Sequence, residues 1–421
     1  KPKHSLLRMA LLSAIAVPAT VFATNGYQLI GVGSYQKGLA GAVTANPGSA
    51  MTAVSNPAGA ARIGSRADFS MEAFMPDRSV DFTALGGEKA ESAVDMYGIP
   101  AIGWTAPTSD GSDVYFGGGM YGTSGMGVDY AVTTIMDMGP GGTLDWHGYS
   151  SISFWQMAPV LAWNVDDKLS LGASLNIDYQ SVAFQSRFTN VPTGDNIFDL
   201  SRSASGFGLG LSLGLLYDPI PAVTLGFTYK SKQNFSDLEY QLAQGDITLN
   251  GAPQDAGTYS LDLDFPQQAA VGIAYRANNK LTFSGDIKWI NWSDTMDQLV
   301  IKGPTVTIPY NTGWDDQTVF AIGINYDINE KFTIRGGYNY AESPIGPEDV
   351  INNLILPAVV ETHYTLGGDY RINNHWELAF HYMYVPENTV TADASTGMPG
   401  AKISLSETCL LYTSPSPRDK F

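Results

Sequence analysis

Cysteine is almost missing: Cys409 is the only one among 421 residues, which excludes a disulfide framework and any multi-cysteine metal site. Charge is scarce as well. Charged residues make up 15% of the chain, and 23 Lys and Arg face 41 Asp and Glu for a net charge of −18. Such a balance lacks the basic surface that phosphate backbones require, so nucleic acid is excluded as a partner. The 5 histidines form no H-E-x-x-H pair, and no nucleophile elbow is expected; the reading is of no enzyme, no catalytic residue, no metal and no cofactor. Beyond residue 23 no apolar run reaches the length of about 18 residues that a membrane-spanning helix needs. What the chain has instead is glycine (45), tyrosine (22) and an apolar content of 44%, too hydrophobic for disorder and suited to exported β-structure.

The two ends differ from the rest. Lys1, Lys3, His4 and Arg8 form a basic start, Met9 to Val21 a short apolar run, and Val21-Phe22-Ala23 an A-x-A-like cleavage site. This three-part plan is that of a secretory signal peptide over residues 1–23, with the mature chain beginning near Thr24. At the other end, Cys409-Leu-Leu-Tyr-Thr-Ser-Pro-Ser-Pro-Arg-Asp419 resembles the translation of a transposase adapter used in sequencing libraries. Residues 409–421 are therefore read as a non-native tail.

Between the ends the dominant pattern has period two. Leu169, Leu171, Ala173, Leu175, Ile177 and Tyr179 alternate with polar or small residues, as do Leu281 to Trp289, Phe332 to Tyr340 and Trp376 to Tyr384. Alternate side chains of a strand point to opposite faces, so each segment has one apolar and one polar face. Tight turns recur at 165–168, 218–222, 276–280, 327–331 and 371–375, with longer loops between them. Short turns at one end and long loops at the other describe an outer-membrane β-barrel. Trp163, Tyr217, Tyr275, Tyr326, Tyr370 and Trp376 all lie beside the short turns, where an interfacial aromatic girdle belongs.

The expected architecture is all-β: a transmembrane antiparallel barrel over residues 67–408 with about 14 strands. Strands are expected near 67–82, 97–107, 113–122, 151–164, 168–188, 204–217, 222–240, 258–276, 280–294, 315–327, 331–342, 361–371, 375–386 and from 400 onward. The last is expected to be cut at Thr408, with Leu410 and Leu411 available to the seam. Residues 24–66, rich in Gly, Ala, Ser and Asn, lack strand alternation and suit an N-terminal hatch inside the lumen.

Thr24-Asn-Gly-Tyr-Gln28, Gly38-Leu-Ala-Gly-Ala42, Ser55-Asn56-Pro57-Ala58-Gly59 and Tyr364-Thr-Leu-Gly-Gly-Asp-Tyr370 resemble the outer-membrane long-chain fatty acid and aromatic hydrocarbon transporter family. The resemblance implies a monomeric, plugged barrel in the outer membrane of a Gram-negative bacterium, surrounded by lipid and lipopolysaccharide. It also implies a hatch motif at Asn56, Pro57 and Ala58. Hydrophobic substrate would land in an external groove, enter a lumenal pocket and leave laterally at a kink in the third strand. That strand carries Gly117, Gly118 and Gly119, and glycine serves either a kink or close packing against a hatch.

Groove candidates after the fifth strand are Val191, Ile197, Phe198 and Leu200; Met126, Val128, Ile135, Met136 and Met138 follow the third. Lys288, Arg335 and Lys230 fall on the inward register and could hold a carboxylate. Internal ion pairs are the plainer use, because Asp286, Asp369 and Glu377 share that register. The functional reading is passive uptake of hydrophobic small molecules, long-chain fatty acids foremost. A hydrophilic porin and a structural or adhesive barrel are the alternatives: the first predicts ion conductance, the second no effect on uptake.

Overall fold

Residues 24–414 are described in a computed structural model; the expected signal segment and the terminal part of the adapter-like tail, Phe421 included, lie outside them. A ring of 14 strands closes on itself. Its members are β1 (Arg66–Asp81), β2 (Tyr97–Pro107), β3 (Val114–Asp137), β4 (Thr143–Met157, resuming at Val160–Asn164), β5 (Leu169–Thr189), β6 (Asn196–Ile220) and β7 (Val223–Lys230). They continue as β8 (Gln268–Asn278), β9 (Leu281–Ile290), β10 (Gln317–Asp327), β11 (Phe332–Tyr340), β12 (Thr362–Arg371), β13 (Glu377–Tyr384) and β14 (Lys402–Ser414). Pairing of β14 with β1 runs without a break from Lys402↔Asp81 to Ser414↔Phe69. The closing strand therefore does not stop at Thr408: Leu410 and Leu411 sit opposite Ala73 and Glu72. Ladder hydrogen bonds come from the backbone, so any non-proline sequence with tolerable side chains can complete the seam.

The wall is inside-out relative to a soluble sheet. On β5, Ser170, Ser174, Asn176, Asp178 and Gln180 are buried, whereas Leu175 is 47% exposed. The same inversion exposes Phe207, Leu209, Leu211 and Leu213 of β6, Ile322 and Ile324 of β10, and Leu366 of β12. A continuous apolar belt of this extent would be unstable in water and is the lipid-contacting surface. Closure pairs the last strand with the first and so removes the two outer edges that a bilayer would not tolerate.

Three strands are longer than their alternation predicts. β3 continues to Asp137, β4 begins at Thr143 rather than near 151, and β6 begins at Asn196 rather than near 204. The reason is bulging: the β3–β4 register shifts at Gly122/Ser124, Tyr130/Thr133 and Thr134/Met136, and the β5–β6 register shifts at Leu200/Ala204. Each bulge flips the faces that follow and erases the period-two signal. In contrast, β7 and β8 are shorter than expected. The outer parts of those segments, Leu238–Leu242 and Gly257–Leu261, join Gln298–Lys302 and Thr307–Asn311 in a separate four-stranded sheet, on the long-loop side of the barrel. The hatch fills the lumen with a hairpin (Thr24–Asn25 with Gln28–Leu29), helix α1 (Gly33–Gly38), helix α2 (Thr52–Ser55) and a 3-10 turn, Pro57–Ala61.

Candidate functional site

The hatch is docked through Asn56-Pro57-Ala58. Fully buried, Asn56 donates from Nδ2 to the carbonyls of Thr44 (2.7 Å), Leu215 (3.2 Å) and Phe227 (3.3 Å), while its Oδ1 accepts from the Ala58 N–H. Leu215 and Phe227 belong to the wall, so one amide side chain ties hatch to barrel. The wall makes room with glycine. A Cβ on Gly214 would lie 2.1 Å from Asn56 Oδ1, and one on Gly172 2.3 Å from the Ala58 nitrogen. Farther up, Lys37 of α1 pairs with Glu72 of β1, both buried. Burial works against the Lys37 ammonium, yet Glu72 beside it raises its pKa above the ordinary lysine value.

Between hatch and wall lies a cavity of about 70 Å³. Lys230 and Lys288 line it together with Gln28, Gln36, Gln268 and Asp286. Lys230 donates to Gln156 Oε1 at 3.0 Å and stands 5.3 Å from the centre of the Phe265 ring. The Lys288 side chain has no hydrogen bond or ion pair among the described residues. Asp286 is engaged elsewhere, its Oδ2 accepting from the N–H groups of Val43 (2.9 Å) and Thr44 (2.8 Å). The third candidate, Arg335, does not line this cavity. It forms a two-pronged ion pair with Asp369 and stacks 4.5 Å from the centre of Tyr35, in a polar chamber near the short-turn end.

The wall has a window. Ladder pairs join β2 to β3 only from Ala101↔Tyr121 downward to Pro107↔Tyr115. Above that, Tyr97–Pro100 has no partner on β3. Instead the hatch hairpin reaches β3: Gln28 pairs with Ser124, and the Gly125 N–H donates to the Tyr27 carbonyl at 3.1 Å. Higher still, the segment preceding β2 closes the gap, the Ala93 N–H donating to the Asp129 carbonyl at 2.8 Å. Pro100, which lacks an N–H for a ladder, falls on this unpaired stretch. The window opens into an apolar cavity of about 90 Å³ lined by Leu29, Phe74, Tyr97, Ile99, Met126 and Phe154, among others. Leu29 borders this cavity and the lysine cavity alike.

Gly117, Gly118 and Gly119 lie just below the window, where β2 and β3 are still paired. Gly118 has φ +147° and packs against Ala158-Pro159, the break that divides β4. The triplet thus marks a wall irregularity, and the loss of pairing begins at Gly122. Of the groove candidates, Leu200 is fully buried in the core, Ile197 and Phe198 are half-buried on the outer part of β6, and Val191 is half-buried in the β5–β6 turn. Phe198 sits 6.2 Å from the Tyr310 ring of the outer sheet. Residues that sequence reasoning passed over include Leu29, Gln28 and Ser124. Their signal was faint: a hatch hairpin too short to show alternation, and a polar pair on a glycine-rich strand.

One G-x-S-x-G string does occur, Gly210 to Gly214, against the expectation of none. It lies mid-strand in β6, with Ser212 hydrogen-bonded to Asn176 at 2.9 Å, so it has neither the strand-to-helix turn nor the histidine of a nucleophile elbow.

A family model described as "Outer membrane protein transport protein (OMPP1/FadL/TodX)" matches residues 10–409. The chain belongs to this family. Members of this outer-membrane transport family are channels for hydrophobic compounds such as aromatic hydrocarbons and fatty acids, and the present chain is one of these Gram-negative outer-membrane barrels. It is 22% identical to Outer membrane protein P1 of Haemophilus influenzae over 77% of this chain and 74% of that protein. It is 21% identical to Alkane uptake protein A of Marinobacter nauticus over 60% and 52%. Among solved structures, the Pseudomonas putida toluene transporter TodX superposes with a TM-score of 0.74 at 21% identity, covering 93% of this chain and 99% of that one. A Pseudomonas aeruginosa FadL homologue gives 0.70 at 18%, with 94% and 100% covered.

Proposed function

We propose that this barrel carries long-chain fatty acids passively from an external groove at Val191, Ile197 and Phe198 through the lysine cavity, releasing them sideways through the β2–β3 window into the membrane. It works as a monomer among lipid and lipopolysaccharide, since the ring closes with its own last strand and needs none from a second copy. The observation that carries this reading is the window: an unpaired stretch of wall backed by an apolar cavity, in a chain whose lumen is otherwise packed with hatch. Lys230 and Lys288 favour a carboxylate over a bare hydrocarbon, because a buried ammonium gains most from a charge-assisted hydrogen bond. With the head group at the lysines, the tail passes Leu29 into the apolar cavity. No energy input is needed: each step moves apolar surface to a better-matched environment.

The test is to fill the window. Gly98 shares the lipid-facing register of Met71, and a Cβ there meets only the Met71 sulfur, at 3.9 Å, so Gly98→Trp lays bulk over the outer mouth of the window without a backbone clash. Uptake of radiolabelled oleate by cells carrying the variant is expected to fall at least tenfold, with the barrel still folded by its heat-dependent gel migration. Undiminished oleate uptake would remove the window from the path.

A further inference from the structure

Arg78 stands on the inward face of β1, almost fully buried, with no carboxylate partner among the described residues. Its guanidinium donates instead to two backbone carbonyls on separate segments: Gly127 of β3 and Val94 of the stretch leading into β2. It also donates to the Tyr97 hydroxyl at 3.4 Å and lies 5.7 Å from the centre of that ring. Its Nε remains without a partner.

These contacts have a common location. Gly127 and Val94 flank the top of the window, just below the Ala93–Asp129 hydrogen bond that restores continuity between the segments. Where the β2–β3 ladder is absent, strand carbonyls lose their usual donors, and an unsatisfied buried carbonyl is costly. A planar fork with five N–H donors can reach carbonyls on both sides of a gap; an ammonium reaches as a point donor. A buried guanidinium with no counter-charge is itself unfavourable, whereas leucine would fill the same space without that cost. The position demands a forked donor, and the wall defect is what demands it.

We infer that Arg78 is a positioning residue that pins the upper rim of the lateral window, clamping Val94 and Gly127 and so setting the height of the opening. The inference rests on the reading of the window as the exit only for its consequence in transport; the clamp itself can be tested separately.

In a Cys409→Ala background, Ser124→Cys places a reporter thiol on the lining of the apolar cavity, and Ser284→Cys, buried on β9, serves as a distant reference. N-ethylmaleimide modification is followed by mass spectrometry on the folded barrel. With Arg78→Met, the reporter thiol on β3 is expected to react about tenfold faster while the reference thiol on β9 keeps its rate. Arg78→Lys, able to reach one carbonyl, should fall between. Equal reporter rates in all three proteins, or a parallel rise at the reference thiol, would overturn the clamp. Should Arg78→Met fail to fold, the Arg78→Lys comparison decides alone, and a rate matching the arginine form overturns it. Oleate uptake separates the two ideas: a changed reporter rate with uptake unmoved leaves the clamp standing and counts against the window as the exit.

Discussion

The two sides of this barrel are built to different standards. From β9 through β13 successive strands pair residue for residue with no register shift. From β2 through β4 the wall has a missing stretch of ladder, three register shifts and a divided strand. Regular pairing gives a wall that needs only backbone hydrogen bonds and an apolar outer face. The irregular arc needs help from elsewhere: a hatch hairpin pairing with β3, an arginine reaching across a gap, a loop segment restoring the sheet above. Holding a hole open in a sheet is harder than closing it, and the specific side chains gather where the sheet is broken.

The sharpest way to break this contrast is through glycine. Gly214 presses on the hatch, so Gly214→Leu should destabilise the barrel by about 3 kcal/mol, at the upper end for overpacking, and raise conductance in planar bilayers as the hatch is displaced. Gly285 lies in the regular arc, where a Cβ meets nothing nearer than 3.8 Å; Gly285→Ala should shift thermal unfolding by less than about 0.5 kcal/mol. Equal effects would dissolve the distinction between hatch-bearing and free wall.

A second prediction concerns the ligand. Removing an unpaired cation by Lys288→Met should weaken oleate binding by about tenfold, the equivalent of one charge-assisted hydrogen bond near 1.4 kcal/mol, and leave toluene binding unchanged. Isothermal titration in detergent checks both. Identical losses for the two ligands would assign Lys288 to structure.

The smallest effect lies outside the membrane. Burial, then the nearby carboxylates of Glu348, Asp315, Asp297 and Asp393, raise the Asp349 pKa from 3.8 to about 6. A raised carboxyl binds its proton more readily in the folded loop. The loop should therefore gain stability as pH falls from 7 to 5 and lose it as pH rises through about 6, by less than about 1 kcal/mol because solvent screens the group. Hydrogen exchange over residues 341–361 would show slower opening at pH 5, and Asp349→Asn should flatten the dependence.

How far the sequence discloses this molecule follows the same division. Leu169 to Tyr179 and Phe332 to Tyr340 read as strands because their two faces meet two uniform media, lipid and lumen. Ile197, Phe198 and Leu200 read as a loop because the bulge before Ala204 reverses the faces and no lipid contact enforces alternation there. The inward register of Lys230, Lys288 and Arg335 is visible from period two alone. That Arg335 belongs to Asp369 depends on how β11 and β12 align, which no local pattern encodes. Arg78 is the clearest omission: its role comes from pairs that are absent, and Pro100 is a mark on the unpaired stretch that says nothing of which side chain spans the gap.

The contacts between hatch and wall also bear on assembly. Lys37 binds Glu72 on the first strand, and the Thr24 hydroxyl donates to Glu407 on the last at 2.9 Å. Both flanks of the seam are thus gripped by the same short N-terminal segment, while Asn56 is held against the opposite arc with no clearance at Gly214. Such a segment is fitted like a mandrel: both ends of the sheet and the arc opposite rest on its surface, so its width matches the circumference of the closed ring.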